Sequence, residues 1–387
     1  MAMQFEFAAA GRVLFGPGRI RDAGPIAAAM GKRPLLVVAQ GLGSAVPFAD
    51  QLRGQGIEPL LFAVPGEPEV SAVVKGVQQA IAAGCDMVIG LGGGSALDAG
   101  KAIAAMMTNE GELADYLEVI GRGLPLLRPP SPYVAIPTTS GTGTEVTRNA
   151  VLASPEHGVK VSLRSPLMLP RVAIVDPELT HSVPPEVTAN TGLDALTQLI
   201  EPFTCGRPNP LVDALCREGI RRAARSLRRA FADGQDAEAR EDMSLASLFG
   251  GMALANAGLG AVHGLAAPLG GLTHGPHGAL CARLLPLVME VNVRALQLRA
   301  PHAPQLARYE EVARLLTGNP VAAAADGIDW TGTICSDLSI QPLSRHGLRE
   351  EDIPQVVAQA QKASSMKANP IPLTDEELAE VLARAFV

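Results

Sequence analysis

The chain has 387 residues, 47% hydrophobic but only 3% aromatic, and a formal net charge of −7. That length exceeds one ordinary core, so two domains are expected, with interiors built from Ala, Leu and Val. The acidic balance excludes a nucleic-acid surface, which needs clustered Lys and Arg.

Met1-Ala2-Met3-Gln4-Phe5-Glu6-Phe7 has no basic segment ahead of a long apolar stretch, so no signal peptide is expected. No uninterrupted apolar run reaches about 18 residues, so no membrane span is expected either. The apolar run Leu35–Ala39 predicts a buried strand, Ala45–Gly54 a helix, Pro59–Val64 a strand and Val70–Ala83 a helix. A strand ending at Leu91, a helix opening after Ser95 and a strand over Tyr133–Ile136 continue the alternation. Strand and helix at this interval imply an α/β domain with a mainly parallel sheet covered on both faces. The Pro-rich stretch from Leu124 to Pro132 reads as a loop inside that domain, because the sheet pattern resumes after it.

Two loops at strand ends carry chemistry. Gly92-Gly93-Gly94-Ser95, with Asp98 and Lys101 behind it, joins a strand to a helix. Glycines let the backbone approach an anion, and the first amides of a helix point at it with the positive end of the dipole. The spacing is neither G-x-G-x-x-G nor the P-loop pattern. The second loop, Pro137 to Thr147, is rich in small hydroxyl residues and leaves the next strand. Ligands of parallel sheets bind beyond the carboxyl ends of the strands, so both loops are expected to touch one nucleotide.

After Val172–Pro177 helical periods dominate: Pro185–Phe203, Pro210–Ala232, Ala237–Ala257, Cys281–Leu298, Leu306–Leu316 and a pair from Arg349 onward. The expected division is therefore an α/β domain over 1–180 and an all-α domain over 181–387. Arg217, Arg221, Arg222, Arg225, Arg228 and Arg229 recur at helical spacing and read as a solvated or interface-facing surface rather than an anion site. Cys85, Cys205, Cys216, Cys281 and Cys335 are scattered without C-x-x-C spacing, as in a reducing cytoplasm.

Asp194 and Gln198 stand four apart and share one face of an apolar helix. His263 and His277 lie in Gly-rich surroundings expected to be turns, with His274 nearby. One carboxylate and two imidazoles from separate segments suit a divalent metal and leave a position open for substrate.

Taken in order, these phrases resemble the iron-containing, or group III, alcohol dehydrogenase family. The likeness begins at Val13–Gly18 and continues through Gly92–Ser95, Pro137–Thr142, Asp176-Pro177 and Gly192–Thr197. It ends with Gly260–His263, Pro276–Gly278 and Asn369-Pro370. The resemblance implies a dehydroquinate synthase-like architecture, with nicotinamide and metal meeting in a cleft between an N-terminal dinucleotide-binding domain and a helical domain. By position, Gly93, Gly94, Ser95 and Asp98 would hold the pyrophosphate end. Thr138, Thr139, Thr142, Thr147 and Lys160 would line the rest of the cofactor site.

Asp194, His263 and His277 would hold Fe²⁺ or Zn²⁺, with Gln198 at the remaining metal position. Iron-using members usually have histidine where this chain has Gln198, and commonly another where it has Ala267. A neutral amide oxygen is a poorer ligand than imidazole, so the preferred metal can change. Without a histidine at 267 the general acid is unassigned. Gln40 stands where an acidic residue would reject a 2′-phosphate, so NAD and NADP both fit, NAD being the expected one.

The expected activity is that of an NAD(P)-dependent alcohol dehydrogenase or aldehyde reductase. It would act on a small alcohol or aldehyde in the cytoplasm, as a homodimer or larger homo-oligomer with no nucleic-acid partner. The alternatives are a metal-independent reductase of the maleylacetate reductase kind, a dehydroquinate synthase-type lyase and a non-catalytic nucleotide-binding regulator.

Overall fold

The computed structural model describes residues 4–273 and 275–387; His274 lies outside them. The chain divides into two compact units. The first comprises Ala9–Thr139 and Gly143–Thr180, and the second comprises His181–Val387 with Ser140–Thr142 and the N-terminal residues through Ala8.

The first unit holds strands β1 (Val13–Phe15), β2 (Pro34–Ala39), β3 (Leu60–Val64), β4 (Met87–Gly92) and β5 (Tyr133–Pro137). It also holds the hairpin β6 (Asn149–Ser154) and β7 (Val159–Arg164), and strand β8 (Val172–Val175). Its helices are α1 (Ala23–Ala28), α2 (Ala45–Arg53), α3 (Val70–Ala82), α4 (Gly94–Met106) and α5 (Leu113–Tyr116). Six strands form one sheet in the order β1-β8-β5-β4-β2-β3, and every pairing in it is parallel, as the alternation predicts.

Successive strand residues face opposite ways. Leu35, Val37, Val88 and Ala135 join one apolar cluster with α3, α4 and the hairpin. Leu36, Val38, Ile89, Leu91, Ile136 and Ile174 join another with α1 and α2. A sheet buried on both faces needs unbroken apolar runs, which is why its strands read as Leu, Val and Ile without polar alternation.

The strand β1 and the hairpin β6–β7 have no counterpart in the sequence reading. The former is three residues long and held at the sheet edge by β8. The latter alternates buried Ala150 and Leu152 with more open neighbours, and those buried residues join the cluster around α4. From Ala96 to Met106 every residue of α4 is buried. A helix covered on all sides leaves Lys101 no route to water, so the chain brings oxygens to it. Its ammonium donates to the carbonyls of Thr144, Thr147 and Asn149 and to Thr147 Oγ1, at 2.8–2.9 Å.

The second unit contains α6 (Pro185–Thr204), α7 (Pro210–Ala232), α8 (Ala237–Asn256), α9 (Ala261–Thr273), α10 (His277–Arg299), α11 (Pro304–Thr317), α12 (Ala324–Asp337), α13 (Ile353–Ala360) and α14 (Asp375–Phe386). One apolar cluster runs through them, with Leu193, Leu196, Leu199, Leu227, Met243 and Leu285 in its interior. The arginines of α7 meet acids of their own unit: Arg222 and Arg225 reach buried Asp242 at 2.7 and 2.6 Å, Arg228 reaches Asp337 at 2.7 Å, and Arg229 reaches Asp236 at 2.9 Å.

The stretch around His263 corrects the expected turn: it is helix α9. Gly260, Gly264, Pro268 and Gly270 dilute its intrinsic propensity. Distant side chains cap it instead. Asn369 Oδ1 accepts the Ala261 N–H at 3.0 Å, and Glu201 Oε1 accepts that of Val262 at 2.7 Å. Gly260 permits this approach, because a Cβ there would lie 2.9 Å from each of those oxygens. No single helix among the described residues is long and apolar enough to cross a membrane.

Candidate nucleotide and metal sites

In the first unit, β4 and β5 are neighbours with Gly92 opposite Pro137, so their trailing loops leave the sheet side by side. The N–H of Thr138 donates to the Gly92 carbonyl at 2.9 Å. A Cβ on Gly93 would lie 3.3 Å from Thr139 Oγ1, which leaves little room for any side chain there. Gly92 has φ of +154°, a conformation suited to glycine. Gly93 precedes α4 without a capping side chain, and Gly93, Gly94 and Ser95 are only partly buried. The first amides of α4 thus receive no capping side chain from Gly93, the arrangement that binds phosphate at a helix N-terminus.

Other expected contacts have internal partners. Asp98 Oδ2 accepts the Val151 N–H at 3.1 Å and so ties the hairpin to α4. Thr147 Oγ1 serves Lys101, and Lys160 pairs with Glu67 at 2.6 Å. Gln40 follows β2 and is exposed, with its N–H donating to the Val64 carbonyl at 3.0 Å. In the second unit Ser140 Oγ lies 3.1 Å from Ser244 Oγ, and Gly141 packs against Thr191 so closely that a Cβ would sit 2.6 Å from that residue. Thr142 follows them, half-buried.

The second unit brings Asp194 of α6, His263 of α9 and His277 and Cys281 of α10 together, with one donor atom from each all within 4.8 Å of one another. Asp194 Oδ1 and His263 Nε2 are buried, 3.4 Å apart, and neither has a hydrogen-bond partner. His277 Nε2 lies 3.9 Å from the same carboxylate oxygen. Two donors bound to one tetrahedral ion at about 2.1 Å stand about 3.4 Å apart. The orphaned atoms and the nitrogen–oxygen donor set therefore fit a divalent metal.

Two of the candidate ligands are held from behind. His263 Nδ1 lies 2.6 Å from Glu201 Oε2, which orients the ring with Nε2 toward Asp194. Gln198 Nε2 donates to Asp194 Oδ2 at 3.1 Å. The amide thus turns its nitrogen toward Asp194 and braces the carboxylate, while its Oε1 is buried without a hydrogen-bond partner.

Burial opposes charge on Asp194, but the adjacent imidazoles of His263 and His277 outweigh it and hold the carboxyl below its ordinary range. Burial likewise pulls His263 down, yet Cys281 and Glu201 hold it well above the usual imidazole value. His277 is raised chiefly by Cys281. Protons therefore compete for the same nitrogens at low pH.

Glu201 and Cys281 were not among the expected site residues. The signal for Glu201 was its place on the Asp194 face of α6, seven residues on and buried. Cys281 stands four residues after His277, one turn along the same helix face, but with α10 expected to begin at Cys281 that relation was not visible.

The family described as iron-containing alcohol dehydrogenase matches residues 10–177, and the C-terminal region of the Fe-containing alcohol dehydrogenase family matches residues 188–386. The chain is 37% identical over 387 residues to 1,3-propanediol dehydrogenase of Klebsiella pneumoniae, covering 96% of each chain. A crystal structure of 1,3-propanediol oxidoreductase superposes with a TM-score of 0.91 at 36% identity, covering 99% of this chain and 100% of that one. Sulfoacetaldehyde reductase from Bifidobacterium kashiwanohense, solved in complex with NAD⁺, gives a TM-score of 0.87 at 30% identity, covering 100% of this chain and 99% of that one. The chain belongs to the iron-containing alcohol dehydrogenase family and is an oxidoreductase acting on alcohols.

Proposed function

We propose that the chain is an NAD(P)-dependent dehydrogenase of small alcohols, reversible as an aldehyde reductase, with a divalent metal held by Asp194, His263 and His277. The observation that carries this reading is the buried pair Asp194 Oδ1 and His263 Nε2, 3.4 Å apart and without other partners. Bound there, Fe²⁺ or Zn²⁺ would supply Lewis acidity toward an alcohol oxygen, and a nicotinamide would supply the hydride acceptor.

The chain's own groups prepare both. Glu201 holds His263 Nδ1 and so turns Nε2 toward Asp194, and Gln198 holds the far oxygen of Asp194. Amides of Gly93, Gly94 and Ser95 take the diphosphate, with Thr138, Thr139 and Lys160 around the remainder. Asp98 and Thr147 serve that site by holding the hairpin and the Lys101 brace in place. Gln40 carries no charge to repel a 2′-phosphate; the NAD⁺ complex of the similar reductase supports NAD as the cofactor. The same reading has a cytoplasmic homo-oligomer, a dimer or larger.

Gln198 and Ala267, in place of imidazoles, favour one competing reading, a reductase that works without metal. A panel of alcohols and aldehydes with NAD(H) and NADP(H), assayed before and after chelation and after return of Zn²⁺, Fe²⁺ or Mn²⁺, separates the two. Turnover that falls on chelation and returns with metal supports the proposal; undiminished turnover in metal-free protein supports the competitor. The lyase and regulator readings do not accommodate an oxidoreductase of alcohols.

A further inference from the structure

Cys281 is the one thiol in the metal cluster. Its side chain is fully buried on α10 and its Sγ lies 3.6 Å from His277 Nε2. All four donor atoms of the cluster, that sulfur included, fall within 4.8 Å of one another. Ligands of one tetrahedral ion, with metal–nitrogen bonds of about 2.0 Å and metal–sulfur bonds of about 2.3 Å, stand roughly 3.4–3.8 Å apart. The sulfur therefore sits at ligand distance from its neighbour, while Asp194 Oδ1 and His263 Nε2 remain unpartnered in the same space.

Gln198 stands beside that place, and its Oε1 is buried and without a hydrogen-bond partner. Its amide nitrogen faces Asp194, and its oxygen lies 3.7 Å from where a Cβ on Gly250 would stand. A larger residue than glycine at position 250 would crowd the amide; a Cβ there already approaches Gln198 Cβ to 3.2 Å. The chain thus holds Gln198 as a brace on the carboxylate and offers a thiol one helical turn beyond His277.

Building on the metal reading above, we infer that Cys281 is a metal ligand and completes an Asp194–His263–His277–Cys281 site that selects zinc over ferrous iron. Binding exchanges the thiol proton for the metal: an S–metal bond forms, the S–H bond breaks, the proton leaves to solvent and no group changes oxidation state. A soft thiolate favours zinc over harder ions, and zinc stands above iron in the general affinity order of divalent metals. Four protein ligands do not shut out an alcohol oxygen, since zinc expands to five-coordination.

The test uses full-length protein stripped by a chelator and titrated with Co²⁺, which reports thiolate ligation through an intense near-ultraviolet charge-transfer band and site geometry through its visible bands. Wild type is expected to show both. Cys281→Ser and Cys281→Ala are expected to lose the ultraviolet band, retain visible bands, and bind Zn²⁺ about 100-fold more weakly in chelator competition, the upper end of the ~10–100-fold typical of residues behind the ligands, so the ultraviolet band decides the assignment. Fe²⁺ affinity should fall less than Zn²⁺ affinity. Visible bands without a charge-transfer band in wild type, or an ultraviolet band that survives in Cys281→Ala, overturn the ligand assignment while the metal reading stands. Folded wild type that binds neither Co²⁺ nor Zn²⁺ overturns the metal reading itself.

Discussion

At the scale of single residues, the metal cluster depends on groups that never touch the metal. Glu201 accepts from the Val262 N–H and faces His263 Nδ1, so one carboxylate both caps α9 and orients the imidazole. Replacing it by Gln keeps the volume but removes the charge that favours a proton on Nδ1. Glu201→Gln should therefore weaken Zn²⁺ binding by about 10–100-fold, read by competition with a chelator while far-ultraviolet circular dichroism stays unchanged. An unaltered affinity would refute this role. Asp194, His263 and His277 were legible in the sequence because each sits in a short phrase with its own composition. Glu201 and Cys281 were not, because their roles exist only once α6 and α10 have a register. Asp194, Gln198 and Glu201 share a face of α6, and His277 becomes a neighbour of Cys281 only when α10 starts at His277 rather than at Cys281.

At the scale of elements, the central strands of the parallel sheet were easier to read than the edge strand β1, the hairpin or helix α9. A parallel sheet covered on both faces demands continuous apolar runs, and β2, β4 and β5 supply them. Helix α9 was hidden because its capping comes from Glu201 and Asn369, far away in sequence, rather than from its own first residues. The end of β2 decides a second property. Gln40 is exposed where that strand ends, beside β4, whose trailing loop is the proposed diphosphate site. Gln40→Asp should lower kcat/KM with NADP⁺ by about tenfold or more relative to NAD⁺, a like-charge clash of about 1.4 kcal/mol. Steady-state kinetics with both cofactors measures it, and an unchanged preference would place the ribose elsewhere.

At the scale of the whole molecule, each unit carries its own buried charge. Glu145, in the first unit, is pushed up to about 7 by burial, against its backbone hydrogen bond and the charge of Lys101. A carboxyl raised in the folded state contributes stability that is fully present below its ordinary value of 4.5 and lost as pH rises through about 7. Burial lowers Lys101 to about 8, so its own contribution changes only at higher pH. Between about pH 5 and 7.5 the wild type should lose stability relative to Glu145→Gln, by an amount on the order of 3 kcal/mol. Urea denaturation of both proteins across that window reads the difference, and parallel profiles would contradict it. The change in periodicity near residue 180 coincides with the start of the run His181–Val387, although Ser140–Thr142 and the N-terminal residues through Ala8 fall in the same unit as that run. What the helical unit does was legible only in part, because Gln198 changed the expected ligand set without showing what replaced it.

The central claim is that alcohol oxidation by this chain depends on a metal held by Asp194, His263 and His277. The most direct measurement is elemental analysis and NAD⁺-linked alcohol turnover on the same samples of wild type, stripped wild type and Asp194→Ala. The account predicts about one bound divalent metal per chain in the active wild type, and neither metal nor turnover in the other two. Full turnover in wild type shown to be metal-free would contradict it.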